Sequence, residues 1–377
     1  MKANLAPKYI QSVNDFMILW FEKSNQYTII DSGLYFCIQT FLDAKNLDDC
    51  VNVYKNTFQF TSEKANAIFL DVKQFLLDRN IPTKRELNPT KYSIDITNRK
   101  FTKYYTCGTF YFEIHFQSEL LINYIHPQLQ HLETSKHSTP DFWFDIYEEH
   151  NQIKLFTNNH FVRSCNSKDF HELQGKFNME LICALHNKKE HDWLGLLHAS
   201  TISNNSKSVM LIGTSGSGKS TLTTLLTRHG YDLVADDTTP ILRDNLNTYY
   251  FPGGISVKPG AFPTIKPFIN NFDDLPQSYL RAFKGGIKYV STPLPNLTNT
   301  SCNKIVLVNY KANSKTLLEP INAKTALEIL IPDSWISPKP ENAKAFLKWI
   351  NTVTFYKLTY SNNQDAIDIF STIFIDE

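Results

Sequence analysis

A short apolar strand pattern, a glycine-rich loop and an amphipathic helix pattern follow one another past the middle of this 377-residue chain. The strand pattern covers residues 208–212 and the helix pattern residues 221–228. Between them lies a match to G-x-x-x-x-G-K-[ST], made of Gly213, Thr214, Ser215, Gly216, Ser217, Gly218, Lys219 and Ser220. Because strand, loop and helix occur in this order, the segment predicts an α/β fold.

Each part of this loop has a physical reason. Glycines let the backbone wrap so that successive N–H groups point inward, and these amides form an anion site with the helix N-terminus, which Thr221 extends. Lys219 would bridge the β- and γ-phosphates of a nucleotide, and the Ser220 hydroxyl would ligate Mg²⁺. The chain has no N-K-x-D motif for reading guanine, which favours ATP.

Composition narrows the class of protein. The chain carries 38 Lys and Arg against 37 Asp and Glu, so a nucleic-acid partner is not expected. No apolar run reaches the roughly 18–20 residues that a membrane span needs. The six cysteines are scattered without a C-x-x-C pair, which predicts reduced thiols in a cytoplasmic protein. Nine of the 13 glycines lie between Gly213 and Gly286, so the permissive backbone positions are concentrated there.

Two adjacent acids follow the next strand pattern. Residues 232–235 read as a buried strand, and Asp236 and Asp237 come directly after it, at the kind of strand end where ligands bind in parallel sheets. We expect the two carboxylates to point to opposite sides, one towards a metal and one towards a nucleophile; the alternative is an ordinary turn. His198 lies fifteen residues before Gly213 and would meet these acids if its strand adjoins theirs.

The first 85 residues predict a separate small α+β unit. Residues 15–22 and 27–31 read as two strands, and residues 34–44, 48–58 and 65–79 as three helices. This order resembles the winged-helix-like PqqD-like peptide-recognition domain, which implies binding of a leader peptide by strand addition. The alternative is an unrelated cap. A polar linker over residues 83–92 then leads to a second domain, 93–377.

The front part of that second domain, residues 93–190, is strand-rich. Its predicted elements are strands at 110–116, 141–148, 154–157 and 161–164 and a helix at 170–185. We expect its aromatic residues to form core and assign no chemistry to it.

Residues 190–260 carry a second and more specific resemblance. His198-Ala-Ser, the loop 213–220 and the stretch from Arg228 to Asp237 are similar to the catalytic core of the HPr kinase/phosphorylase family. The resemblance implies a P-loop kinase domain with a mixed sheet, in which residues 213–221 bind ATP and Ser220 ligates Mg²⁺. It also implies that one acid of the pair, preferably Asp237, accepts the proton of the substrate hydroxyl, with His198 beside it.

One departure from that family concerns the metal. The family has a downstream Glu that ligates Mg²⁺, whereas residues 251–262 contain no acid here, so either Asp236 takes over or water holds the ion. The Pro-Gly-Gly stretch looks more like the related kinases of modified-peptide clusters, including those acting on lasso peptides. Gly253 and Gly254 are therefore candidates for the acceptor site, and Lys258 is a candidate phosphate contact. A second basic run, made of Arg281, Lys284, Gly285, Gly286 and Lys288, is a candidate lid over the triphosphate. An ordinary turn and solvated lysines are the alternatives.

The sequence thus predicts an ATP- and Mg²⁺-dependent kinase that phosphorylates a Ser or Thr hydroxyl of a ribosomally made precursor peptide. A small-molecule kinase is the second expectation, and an ATP-gated peptide-binding protein without transfer is the third. The sequence leaves the acceptor identity, the reverse activity and the oligomeric state open. The HPr kinases that it resembles form hexamers, but no residue pattern here indicates an interface.

Overall fold

The computed structural model describes residues 2–82, 92–279 and 286–375. Its first part is a three-stranded antiparallel sheet of order β1-β2-β3 followed by three helices. These elements are β1 (Tyr9–Val13), β2 (Phe16–Phe21), β3 (Gln26–Asp31), α1 (Ser32–Asp43), α2 (Leu47–Phe58) and α3 (Ser62–Arg79). The side chains of Asp31, Asn46 and Thr61 cap the three helix N-termini. Sequence patterning missed β1, because this edge strand is largely exposed and lacks a continuous apolar face.

Both faces of the small sheet are covered. Leu19 and Phe21 pack against α1–α3 in one cluster. On the opposite face, Ile18 and Trp20 are fully buried in a cluster that includes Phe346 of the C-terminal part. The Asn25 side chain also donates a hydrogen bond to a backbone carbonyl of that part, that of Ile336, at 2.8 Å. The N-terminal unit is therefore held to the rest of the chain by a shared core.

The front part contains a six-stranded sheet of order β6-β4-β5-β7-β8-β9 with two helices on one face. Its elements are β4 (Phe101–Cys107), β5 (Phe110–Phe116), α4 (Glu119–Leu129), β6 (Glu133–Thr134), β7 (Phe142–Glu149), β8 (Gln152–Thr157), β9 (His160–Asn166) and α5 (Phe170–Leu185). The four predicted strands and the predicted helix are present, and β4, β6 and α4 were missed. Pro127 inside α4 weakened its helical signal.

The remaining elements form the central part of the fold. They are β10 (Trp193–Leu197), β11 (Ser200–Ser203), β12 (Lys207–Ile212), α6 (Lys219–Arg228), β13 (Asp232–Ala235), β14 (Thr239–Leu242), β15 (Asn247–Tyr249), β16 (Ile255–Val257), α7 (Phe262–Ile265), β17 (Gln277–Ser278), β18 (Ile287–Val290), β19 (Asn299–Tyr310), β20 (Leu317–Pro320), α8 (Ala323–Leu330), β21 (Trp335–Ile336), α9 (Pro340–Ile350), β22 (Thr354–Tyr360) and α10 (Asn363–Ile375).

The ten-stranded central sheet is mixed. Strand β19 pairs in parallel with β12 on one side and with β22 on the other, while β11 and β15 run antiparallel to their neighbours. Helices α6 and α10 cover one face, and α8 and α9 cover the other. The predicted α/β class with a mixed sheet is thus confirmed. In the three described ranges, no helix combines the length and apolar character that crossing a bilayer requires.

Candidate active site

The glycine-rich loop joins β12 to α6 at one end of the central sheet. Gly216 and Gly218 have φ angles of 91° and 94°, a left-handed backbone that other residues rarely adopt. A Cβ on Gly218 would also lie 3.0 Å from the hydroxyl of Tyr360, whereas one on Gly216 would meet open space. The loop therefore needs glycine at position 218 both for its conformation and for the room that it leaves.

The N-terminal end of α6 is arranged for an anion. Its N-cap residue, Gly218, offers no side-chain hydrogen bond to the first turn, so the amides there stay available. A backbone bond of 3.0 Å from Ser217 N–H to the Thr214 carbonyl closes the loop. The Ser217 hydroxyl is buried without a hydrogen-bond partner. The amides at this helix end fit a bound phosphate group, whereas the Ser217 hydroxyl packs beside the Gly213 backbone.

Lys219 forms an ion pair with Asp237 across this loop. The Lys219 side chain is only 8% exposed, while that of Asp237 is 42% exposed. Burial alone would lower the pKa of Lys219, but Asp237 and then Asp236 raise it above its ordinary value. Burial would likewise raise the pKa of Asp237, but Lys219 and His198 bring it below its ordinary value. Lys219 is thus charged, and Asp237 ionised, over the physiological range.

His198 and Asp237 lie opposite each other, where the pairing between their two strands is interrupted. Strand pairing runs from Thr201 with Ala235 to Leu197 with Thr239, and the three residues between on each segment are left out of the ladder. Ala199 N–H bonds back to the Leu197 carbonyl, and Thr238 N–H to the Asp236 carbonyl. These i to i+2 bonds are γ-turns centred on His198 and Asp237.

The φ of Asp237 is 57°, in the left-handed region that is uncommon for residues other than glycine. Backbone strain of this kind concentrates at functional sites. The two γ-turns bring His198 into electrostatic contact with Asp237, as expected if their strands adjoin. The position of Asp237 is therefore set where strand pairing is interrupted.

Asp236 lies deeper in the site, with 4% exposure. It accepts hydrogen bonds from the Ser200 hydroxyl and from Ser256 N–H, the latter at 2.9 Å. Burial and the negative charge of Asp237 raise its pKa. The Ser256 hydroxyl donates to Asp237 at 3.0 Å, so a single residue contacts both acids.

The expectation that the two acids point to opposite sides is therefore wrong. The expectation assumed that side chains alternate along a strand. The strand ends at the γ-turn, so the Asp237 side chain lies on the same side as that of Asp236. Ser256 was not identified from the sequence, because an isolated serine carries no motif.

The Pro-Gly-Gly stretch packs against the front part of the chain. Gly254 N–H donates to the Gln128 carbonyl at 2.9 Å, and Gly254 lines the cleft described below. Gly253 faces the ring of Phe251 instead. The pKa of the neighbouring His131, which bonds the Pro252 backbone, is lowered by burial to about 4.

The lysines predicted to contact phosphate or to form a lid lie in different surroundings. The Lys258 ammonium donates to the Ser215 hydroxyl at 2.8 Å and so reaches the phosphate loop. Lys288, in contrast, is buried and donates to the carbonyls of Phe272 and Asp273, so its ammonium is turned away from the phosphate loop. Arg281 and Lys284 lie outside the described residues.

A cleft of about 1280 Å³, the large cleft, joins the glycine-rich loop to the two acids, His198 and Lys258. Loop residues 213–216 and 218–221 line it together with His198, Asp236, Asp237 and Ser256. The front part adds a wall that sequence analysis missed, formed by Gln128, Phe170, His171, Gln174 and Asn178. Helix α5 carries most of this wall, and its amphipathic pattern resembles that of any core helix, so no signal in the sequence distinguished it.

The large cleft also offers oxygen donors for Mg²⁺. The Ser220 hydroxyl and the Asp236 carboxylate both line it, and hard oxygen ligands suit Mg²⁺ when phosphate oxygens complete the shell. In residues 2–82, 92–279 and 286–375 no group of three or more His, Cys, Asp or Glu side chains is placed to hold a metal by itself. The residues present therefore fit an ion that arrives with a phosphate ligand.

Comparisons with known proteins give little support beyond this geometry. No protein-family model matches the chain. No curated protein matches it either. Among solved structures, the chain is similar to the Hpr(Ser) kinase/phosphatase from Coxiella burnetii, with 11% sequence identity and a TM-score of 0.23 over 47% of this chain and 89% of that one. A similarity at this level assigns no activity, so the argument for function rests on the site itself.

Proposed function

We propose that this protein is a kinase that transfers the γ-phosphoryl group of ATP to an alcohol hydroxyl. The observation that carries the proposal is the pairing of the loop lysine Lys219 with the strand-end acid Asp237, inside one cleft. Phosphoryl transfer requires positioning, charge neutralisation and a base near the attacking oxygen. The described residues supply a group for each of these needs.

The amides of the loop and of the α6 N-terminus would hold the β-phosphate, and Lys219 and Lys258 lie where they can meet phosphate oxygens. Ser220 and Asp236 would hold Mg²⁺, which neutralises phosphate charge when bound. Asp237 would take the proton of the acceptor hydroxyl while the hydroxyl oxygen bonds to the γ-phosphorus. The bond between the γ-phosphorus and the β–γ bridging oxygen breaks at the same time. ADP and a phosphate ester are the products.

Asp237 has two roles in succession under this proposal. Without nucleotide it neutralises Lys219, and a bound triphosphate competes for that lysine. The exchange frees Asp237 to face the acceptor. An ATP-gated binding protein without transfer would have no need for an ionised acid held in a strained γ-turn beside the loop, so we prefer the kinase.

For the acceptor we propose a ribosomally made precursor peptide whose leader binds the N-terminal unit. Within the described chain, β1 and β3 each pair with β2 alone, so the small sheet keeps two strand edges for an extended peptide. Its packing through Trp20 gives that unit a fixed place relative to the cleft. A tethered leader would raise the local concentration of the core peptide.

Incubation of the full chain with ATP, Mg²⁺ and candidate precursor peptides tests the proposal by the mass of one added phosphate. Lys219→Met should abolish transfer and weaken ATP binding, because the charge that meets the phosphates is lost. Lys344→Met, at an exposed position of α9, is the matched control and should change neither. ATP binding without phosphate transfer to any hydroxyl, water included, would refute the kinase assignment.

A further inference from the structure

A second, smaller cavity adjoins the candidate base. This side cavity has a volume of about 340 Å³. It meets the large cleft at five residues that line both, Asn178, His198, Asp237, Thr238 and Asp333. None of the loop residues 213–221 lines it. A group in the side cavity therefore approaches Asp237 without occupying the phosphate loop, as an acceptor must while ATP is bound.

The walls of the side cavity come from two parts of the chain. Helix α5 of the front part supplies Glu172, Lys176 and Met179, and the central part supplies Leu196 and Trp335. A volume near 340 Å³ lies at the lower end of the range of small-ligand pockets, which suits one long side chain and not a folded segment.

The fixed cations of the side cavity are already neutralised. Arg163 pairs with Glu172 at 2.7 Å. Lys176 pairs with Glu190 and, at 3.3 Å, with Glu180. These pairs leave no lysine or arginine charge of the lining available to attract an anionic acceptor.

Carboxylates exceed cations along the same lining. Four acids line it against one arginine and one lysine, and the pairs just described use Glu172 and Glu190, which leaves Asp237 and Asp333 as the excess. Asp333 is exposed and makes no ion pair within the described part of the chain. When a triphosphate takes Lys219, Asp237 loses its ion-pair partner as well. The indole of Trp335 adds an aromatic wall, a surface that favours cations over anions.

We propose that the side cavity is the acceptor pocket and selects a Ser or Thr hydroxyl whose neighbouring residue is Lys or Arg. The basic side chain enters the acid-lined pocket, and the hydroxyl remains at Asp237, where it forms the phosphate ester and gives up its proton. This inference rests on the proposed kinase function and names the chemistry of its substrate.

Three acetylated peptide amides, Gly-Ser-X-Gly with X as Lys, Gln or Glu, test the pocket by isothermal titration against the full chain with ADP and Mg²⁺. We expect the Lys peptide to bind at least about 10-fold more tightly than the Gln peptide and the Glu peptide to bind most weakly. Asp333→Asn should reduce the preference for Lys about 3-fold or more. This variant is the more informative one, because Asp333 has no ion pair to lose, whereas Glu172→Gln leaves Arg163 beside a neutral partner.

Glu341→Gln, at an exposed position of α9, is the control variant and should keep the wild-type preference. Equal binding of the three peptides, preference for the Glu peptide, or binding of none of them overturns the acceptor inference. ATP affinity is measured in the same preparation. If ATP binds and phosphate reaches other hydroxyls, the acceptor inference fails alone; if ATP does not bind, the kinase proposal itself fails.

Discussion

Asp237→Asn separates the two roles that we propose for this residue. The substitution keeps the shape of the side chain and removes its charge, so Lys219 loses its ion-pair partner and the acceptor hydroxyl loses its base. Asp236 remains nearby, since its charge also acts on Lys219. The buried lysine is therefore not left without a counter-charge.

The expected magnitudes follow from exposure. Lys219 is 8% exposed but Asp237 is 42% exposed, and Asp236 still acts on the lysine, so we expect a loss of about 1 kcal/mol, the upper end for an exposed pair and less than for a buried charge left alone. Loss of about 1 kcal/mol would lower the Tm by at most about 4 °C in a chain of this length. Because ATP no longer has to compete for Lys219, its affinity should stay the same or tighten by up to about 5-fold. Loss of a general base lowers the transfer rate about 10²- to 10⁴-fold.

The assay combines ATP titration by calorimetry with ADP release in the presence and absence of acceptor peptides. Asp244→Asn is a matched control, since Asp244 is also ion-paired but 65% exposed and outside both cavities. More than a tenth of the wild-type transfer rate in a folded Asp237→Asn protein would refute the base assignment. ATP binding weakened more than about 10-fold would refute the idea that Asp237 and phosphate compete for Lys219.

Three further substitutions test other parts of the structure. Gly218→Ala should weaken ATP binding at least about 10-fold more than Gly216→Ala by calorimetry, because both alanines meet the same backbone strain but only the first meets Tyr360; equal losses would refute the steric argument. Trp20→Ala should lower the free energy of unfolding by about 3–5 kcal/mol in urea melts, since this fully buried side chain fills the shared core, and a loss below 1 kcal/mol would contradict that packing. Burial lowers the pKa of His131 to about 4, so the unfolded chain binds the extra proton first. Stability should therefore fall as pH drops from about 6.5 towards 4, and His131→Asn should flatten this dependence in pH-dependent melts; an unchanged slope would show that other groups cause it.

Local signals were sufficient for part of the fold. The strand before the loop, the helix after it and the strand ending at Ala235 occur as predicted, because their apolar periodicity and glycines act over a few residues. Helix α5 was predicted with its bounds for the same reason. Edge strands such as β1 and β6 were missed, since a short, exposed strand carries little apolar alternation.

Part of the candidate site could also be identified from the sequence, and part could not. Sequence identified the loop, the acid pair and His198, because each lies in a motif of fixed spacing. It could not give the orientation of the acids, which a γ-turn at Asp237 reversed, or the contact of both acids with Ser256. The orientation depends on strand pairing between segments nearly forty residues apart in the chain, and the Ser256 contacts join residues about twenty apart.

By itself, then, the sequence determined a glycine-rich loop and a pair of acids one helix and one strand away from it, because backbone freedom and charge at neighbouring positions are local properties. Only the tertiary structure decided what encloses them. Helix α5 and the turn at Asp333 come together from distant parts of the chain to form the walls beside Asp237. Long-range packing, which a local pattern does not encode, placed the acid-lined side cavity next to the candidate base.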